Sequence, residues 1–380
     1  MAPEIPFKAN PPPSSRGRLM AIVLGALVLV YFGERAIAPP LTSRWLDFPV
    51  YWEAGQKAIA GRTAYDVTGH FQFKYSPLVA LLFGGVFSTS SFESASWIFQ
   101  KVMLLLWVGL FVRLTKFNLR SLFVALLFFG SAFRLDLELG QVNALVLALL
   151  VYLFGLLDRP KSMGADLVFG AIFSLTVQLK LFGLVLVPLL LLRREWGKLF
   201  AGLFLLPILS VGGVALIHGI PFALSENQSW LASLGQSTDE LLLSEQNVSM
   251  LGTYVKVFGL NIGKAAWVLS GCAYCVFLWK NRSRTVEWFR NWLLLGVAIF
   301  NPLVWSYWIL YALPLFATRM KDFFGAFRRR NVGDRALFAF VALFLFFAFN
   351  GQHARWTWSG GIFLGLLFLA FATTKVRARA

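Results

Sequence analysis

"YSPLVALLFGGVF", residues 75–87, is the stretch on which the architecture hinges. It is apolar, carries Pro77 near its start and offers only 13 residues, whereas a helical crossing needs about 20. A run of that length suits a re-entrant or interfacial segment. If it crossed, every later loop would change sides. The basic residues decide between the two. With the run re-entrant and the N-terminus in the cytoplasm, Lys and Arg gather in inner loops at 113–120, 159–161, 193–198, 280–290 and 319–335, and at both chain ends. With the run spanning, that bias vanishes. The positive-inside rule therefore reads the segment as re-entrant.

The surrounding chain is 58% hydrophobic and 14% charged over 380 residues, where soluble domains carry roughly 45–50% apolar and about 25% charged residues. Repeated apolar runs of near-spanning length predict an all-α, polytopic transmembrane bundle. The net charge of +17 resides on the inner face. It is an orientation signal and an attraction to anionic lipid, not a nucleic-acid footprint. Cys272 and Cys275 have CxxC spacing but fall inside an apolar run, and read as buried membrane thiols. His70, His218 and His353 show no metal-ligand spacing. At the N-terminus Lys8, Arg16 and Arg18 precede an apolar run and Ala36–Ala38 imitates a cleavage site. Pro39 follows directly and Glu34 and Arg35 interrupt, so the expectation is an uncleaved signal-anchor helix.

Residues 1–18 read as a cytoplasmic tail and 19–380 as one polytopic membrane domain of about 12 spans. Its last spans fall near Leu337–Asn350 and Trp356–Thr373, and both termini are cytoplasmic. The first outer loop covers 39–96 and includes short interfacial helices; a long outer loop covers 218–262. On this topology the unusual polar residues collect on the outer face. The first loop carries Asp47, Tyr51, Trp52 and Glu53. The second, "RLDLELGQVN", carries Arg134, Asp136, Glu138, Gln141 and Asn143. Lys180 sits between two short apolar halves, and "SEQNVSMLG", "NPLVWSYW" and "GQHARWTW" complete the set. Polar groups at membrane depth are costly, so their gathering marks a site. Each also fits a plainer role. Asp47 reads equally as a loop acid or helix cap, Asp136 and Glu138 as wet turn residues, and Lys180 as a snorkelling cation. Trp305, Trp308, Trp356 and Trp358 read as an aromatic belt. No P-loop, GxGxxG, HExxH or GxSxG motif is present. Any chemistry must use a substrate that is itself in the membrane.

In chain order come Asp47-Phe48-Pro49-Val50-Tyr51, a turn from Gly61 to Tyr65, and Tyr75-Ser76-Pro77-Leu78. Next are Gly140-Gln141-x-Asn143, a lone Lys180, "QNVSMLG" and Asn301-Pro302-Leu303-Val304-Trp305. This series resembles the GT-C membrane glycosyltransferases, specifically glycosyltransferase family 87, the polyprenol-phosphate-mannose-dependent α-mannosyltransferases. The chain has Tyr-Ser-Pro-Leu where the family has Tyr-Pro-Pro-Leu, and Tyr307-Trp308 where His residues are common. The resemblance implies a polyprenyl-phosphate sugar donor and transfer of a hexose, mannose, to an extracytoplasmic glycan or glycolipid acceptor. It implies Asp47 as general base, with Tyr51, Tyr75, Gln141, Asn143, Lys180, Asn247, Trp305, Tyr307 and Arg355 binding substrate. Lys180, Arg134 or Arg355 would meet the phosphate. A cofactor is not required, although Asp136 and Glu138 are the pair to which a divalent metal would go. Two other classes share the apolar bulk: a transporter or flippase of lipid-linked sugars, and a non-catalytic partner in envelope polysaccharide assembly. A transporter is expected to show internal repeats between halves, and none is evident.

Overall fold

The computed structural model describes residues 15–37, 47–65, 72–235, 241–244 and 247–318, and among these every regular element is helical. Helix α1 (Ser15–Ala36) leads to the short α2 (Asp47–Ile59) and α3 (Pro77–Phe87). Ser76 caps α3, accepting from the Val79 N–H at 3.4 Å, and Pro77 occupies the first turn, where no backbone donor is needed. Eleven residues rise about 16 Å, far short of a bilayer core of about 30 Å. Tyr75, just before α3, meets Tyr51, and Phe87 at its end meets Phe48, with ring centroids 5.0 and 5.9 Å apart. Both ends of α3 therefore return to α2. Where the two helices cross, a Cβ on Gly55 would lie 2.6 Å from the Gly84 backbone nitrogen. Only paired glycines allow so close an approach.

Helix α4 (Phe92–Leu114) is long and apolar enough to cross a membrane. Helices α5 (Leu119–Glu138) and α6 (Asn143–Leu156) pass that test as a pair bent by 119° at the turn between them. Helix α7 (Met163–Leu179) ends at Lys180, followed by a 3₁₀ segment (Leu181–Leu186) and α8 (Val187–Arg193). Helix α9 (Trp196–Pro207), a π turn (Ile208–Gly212) and α10 (Gly213–His218) form a second continuous stretch long and apolar enough to cross, Trp196–His218. Helix α11 (Ile220–Gly235) and α12 (Met250–Phe258) lie in the expected long outer loop. The third such stretch is α13 (Leu260–Lys280), followed by α14 (Val286–Phe300) and a 3₁₀ segment (Ser306–Ala312).

Three helices long and apolar enough to cross a membrane, and one bent pair, are thus present among the described residues. The expectation of about 12 rests further on short apolar helices and on two segments, 337–350 and 356–373, that lie outside them. Two runs read as spans, after Lys180 and after Trp305, begin as 3₁₀ turns. Cys272 and Cys275 are exposed on α13 rather than buried in protein, so on a crossing helix it is lipid that surrounds them.

The core is aromatic. Phe48 packs edge-on or tilted against Phe87, Phe92 and Phe99, and Trp107 and Phe111 pack on Phe133. Tyr31 donates to the Gly130 carbonyl at 2.6 Å, joining α1 to α5. From the other side, α11 holds the loops around α2 and α3: the Trp230 indole donates to the Lys74 carbonyl and Glu226 accepts from the Ala64 N–H, both at 3.1 Å.

Candidate active site

The site begins at the end of α5. Gly140 adopts φ +69°, its N–H donates to the Leu137 carbonyl at 3.1 Å, and the Gln141 N–H donates to the Asp136 carbonyl at 3.0 Å. This is a Schellman turn, and its left-handed position is cheap only for glycine. The turn buries Gln141 and, at the start of α6, Asn143. Its Leu139 carbonyl accepts from the Asp47 backbone N–H at 2.9 Å. The first residue of α2 is thereby fixed to the α5–α6 turn.

Lys180 closes the cluster from the end of α7. Its ammonium donates to Asn143 Oδ1 at 2.7 Å and to Gln141 Oε1 at 3.4 Å. Gln141 Nε2 donates to Asp47 Oδ2, and Asn143 Nδ2 donates to Asp136 Oδ1 at 2.6 Å. An ammonium only donates and a carboxylate only accepts. Both carboxamides are therefore forced to one polarity, nitrogen toward an acid and oxygen toward the lysine. Asp136 is fully buried and takes a second bond from Trp107 Nε1 at 2.8 Å; Asn143 Oδ1 takes a second from the Tyr311 hydroxyl at 3.1 Å. The rings of Trp308 and Phe182 lie 5.0 and 5.7 Å from the ammonium, within cation–π range.

Asp47 is half-buried on a helix too short to span, and Lys180 is the extended residue between the end of α7 and the 3₁₀ segment. Burial pushes the Asp47 carboxyl up to about 6, against the opposing pull of the Lys180 charge and the Gln141 N–H. Burial pulls Lys180 down to about 8, with Asp136 and Asp47 holding it up. Around neutrality the site holds a carboxylate able to take a proton and an ammonium with one donor left after its two amide bonds.

The tyrosines form a second layer. The Tyr51 and Tyr75 hydroxyls share a hydrogen bond of 2.7 Å, and the Tyr65 hydroxyl donates to the Tyr75 carbonyl at 2.5 Å. Tyr307 lies within electrostatic reach of Asp47, Asp136 and Tyr75. Ser76 donates to Gln178 Oε1 at 2.9 Å, and its N–H reaches the Gln178 carbonyl at 3.1 Å. These bonds couple the start of α3 to the end of α7, two residues before Lys180.

The structure thus brings Asp47, Gln141, Asn143 and Lys180 together, with Tyr51, Tyr75 and Tyr307 around them. Lys180 is tied to the two amides rather than snorkelling, and Trp308 belongs to the site rather than to a belt. Trp305 is half-buried where it opens the 3₁₀ segment. Asn247 serves a different purpose. Its amide donates to the Leu242 and Pro302 carbonyls and accepts from the Ser249 and Val304 N–H groups. With donors and acceptors fully engaged, it braces "QNVSMLG" against "NPLVW" and has no bond left for a substrate. Asp136 and Glu138 diverge, since residues two apart on a helix do not face each other. Glu138 pairs instead with Arg134 at 2.6 Å and Arg35 at 3.3 Å. Among the described residues no three His, Cys, Asp or Glu side chains come together. Arg355 lies outside the described residues.

Sequence reasoning missed Trp107 and Tyr311. Trp107 sits mid-run in α4, where a tryptophan resembles any membrane aromatic. Tyr311 likewise lies in an apolar run, and only the 3₁₀ geometry of that run gives it away. It follows Trp308 by three residues, and in a 3₁₀ helix such positions eclipse. Both rings lie against Phe182, at 4.9 and 5.1 Å.

The model of glycosyltransferase family 87 matches residues 73–291. The chain is 25% identical over 374 residues to an alpha-(1->3)-arabinofuranosyltransferase of Corynebacterium glutamicum, covering 90% of this chain and 82% of the relative. Compared with the crystal structure of ArnT from Cupriavidus metallidurans bound to undecaprenyl phosphate, it gives a TM-score of 0.42 at 14% identity, over 96% of this chain and 77% of that one.

Proposed function

The chain belongs to glycosyltransferase family 87, and from that premise we propose that it transfers a sugar from a polyprenyl-phosphate donor to a glycan or glycolipid acceptor at the outer face of the cell membrane. The observation that carries this reading is the Asp47–Gln141–Lys180 arrangement. It sets a proton acceptor and a cation on either side of one amide, beside a bundle of membrane helices. Asp47 takes the proton of the acceptor hydroxyl as that oxygen attacks the anomeric carbon. The bond from the anomeric carbon to the phosphate oxygen breaks, and polyprenyl phosphate leaves against Lys180. A single displacement inverts the centre, so a β-linked donor gives an α-linked product. A second carboxylic acid is not required, because a phosphate leaves without strong acid help.

The sugar is mannose on the motif resemblance. A pentofuranose is the second reading, favoured by the name of the Corynebacterium relative. Purified protein in lipid should be offered a panel of polyprenyl-phosphate sugars, with release of polyprenyl phosphate and loss of label from the donor as readouts. Turnover of the mannosyl or the arabinosyl donor supports transfer and names the sugar. Movement of donors across a vesicle membrane with no bond cleavage would replace the enzyme with a flippase.

A further inference from the structure

Asp136 is fully buried in α5, with its two oxygens against the Trp107 indole and the Asn143 amide. The proposed reaction gives it no part. Yet its partner Asn143 is the shortest contact of the Lys180 ammonium, at 2.7 Å. We propose that Asp136 is a positioning residue: by gripping the Asn143 nitrogen it keeps the Asn143 oxygen turned to Lys180 and so fixes the ammonium in place. This rests on the reading of Lys180 as the partner of the donor phosphate.

The argument is one of polarity. Asn143 presents two ends of nearly equal size, and its own packing does not choose between them. A carboxylate at position 136 accepts only, so the amide nitrogen must face it. An amide at position 136 meets two donors, the Trp107 and Asn143 N–H groups, with one acceptor and one donor end. Either its NH₂ faces the Trp107 N–H, or it faces Asn143, which must then turn over and offer its own NH₂ to an ammonium that has no acceptor to give; both outcomes loosen the hold on Lys180. The charged groups acting on Lys180 are Asp47 from α2 and Asp136 from α5. Tyr311 shares the Asn143 oxygen, and Tyr307 and Tyr75 lie within reach of the same two acids. Loss of the Asp136 charge and of the Asn143 oxygen both make the charged lysine harder to keep.

Trace labelling of the purified full chain with an amine-reactive reagent across a pH series, read by mass spectrometry on the peptide carrying Lys180, gives the midpoint of its titration. The wild-type midpoint is expected near 8. Asp136→Asn should shift it down by about one unit or more, Asp136→Glu should restore most of the shift, and Asn143→Ala should mimic it. The Asp136→Asn, Asn143→Ala double variant should move less than the two shifts added, since both act through one contact. An unmoved midpoint in folded Asp136→Asn, or a loss that Glu does not restore, overturns the proposal and leaves Asp136 a packing residue. Should Asp136→Asn not assemble, Asn143→Ala carries the test: it removes the oxygen through which Asp136 is proposed to hold the ammonium, and a midpoint equal to wild type is then the overturning result. No donor enters this measurement, so failure of the wild type to transfer any sugar would remove the functional reading while leaving the labelling result to stand on its own.

Discussion

Asp47 combines two features a general base needs: its backbone is pinned to Leu139 and its carboxyl titrates near the working pH. Asp47→Asn keeps the shape and should slow transfer by about 10²–10⁴, while Glu53→Gln, exposed on the same helix, should leave turnover unchanged. Sugar transfer at matched expression checks both. The pH profile of kcat/KM should rise through about 6 as Asp47 gives up its proton and fall above about 8 as Lys180 loses its own. A profile flat between 5 and 7, about one unit either side of the Asp47 value, would remove Asp47 from the role. Most of this site was legible because Asp47, Gln141, Asn143 and Lys180 are polar residues at helix ends and turns of an apolar chain. Trp107 and Tyr311 were not, because an aromatic in an apolar run looks the same whether its N–H or O–H has a partner. Asn247 misled for the opposite reason. A polar residue in an outer loop looks free to bind, and only the folded loop reveals four backbone partners.

At the scale of elements, α2 and α3 act as one body because Gly55 and Gly84 allow their backbones to touch. A methyl at position 55 meets the backbone of Gly84, which no side-chain motion can relieve. Gly55→Ala should therefore destabilise the protein by about 1–3 kcal/mol, as overpacking does, and lower transfer by displacing Asp47. Thermal unfolding together with turnover measures the two effects; an alanine variant with wild-type values of both would separate the contact from the site. The brevity of α3 is legible in residues 75–87 themselves, where polar residues close off the apolar run on both sides. The 3₁₀ geometry after Lys180 and Trp305 is not, since periodicity over six or seven apolar residues does not separate it from an α-helix. That geometry matters, because it is what brings Trp308 and Tyr311 to one side.

For the whole molecule, the proposed orientation places α2 outside and the loop between α6 and α7 inside. In a background of Cys272→Ser and Cys275→Ser, a membrane-impermeant thiol reagent should label Glu53→Cys in intact cells and leave Lys161→Cys unlabelled until the membrane is opened. Both native side chains are exposed, so access is not the limit, and the reverse pattern would invert the orientation. Helix α13 stands apart in this architecture. Of its residues only Gly263 and Leu278 are buried in protein, and α12 packs on it around a small separate cluster of Leu242, Leu251 and Val255, with Trp267 alongside. Its ties to α14 include the Tyr274 hydroxyl on the Trp292 carbonyl, the Trp267 indole on the Phe300 carbonyl, and the Tyr274 and Phe277 rings against Phe300, Trp288 and Trp292. The protein therefore holds two levels of cohesion. The aromatic core around Asp47 and Lys180 is held by its own packing, whereas the α12–α13 hairpin borrows its from the surrounding amphiphile. Transfer from lipid into a short-chain detergent should melt the hairpin in an early, separate step, with fluorescence of Trp267 changing at a lower temperature than the loss of Lys180 protection.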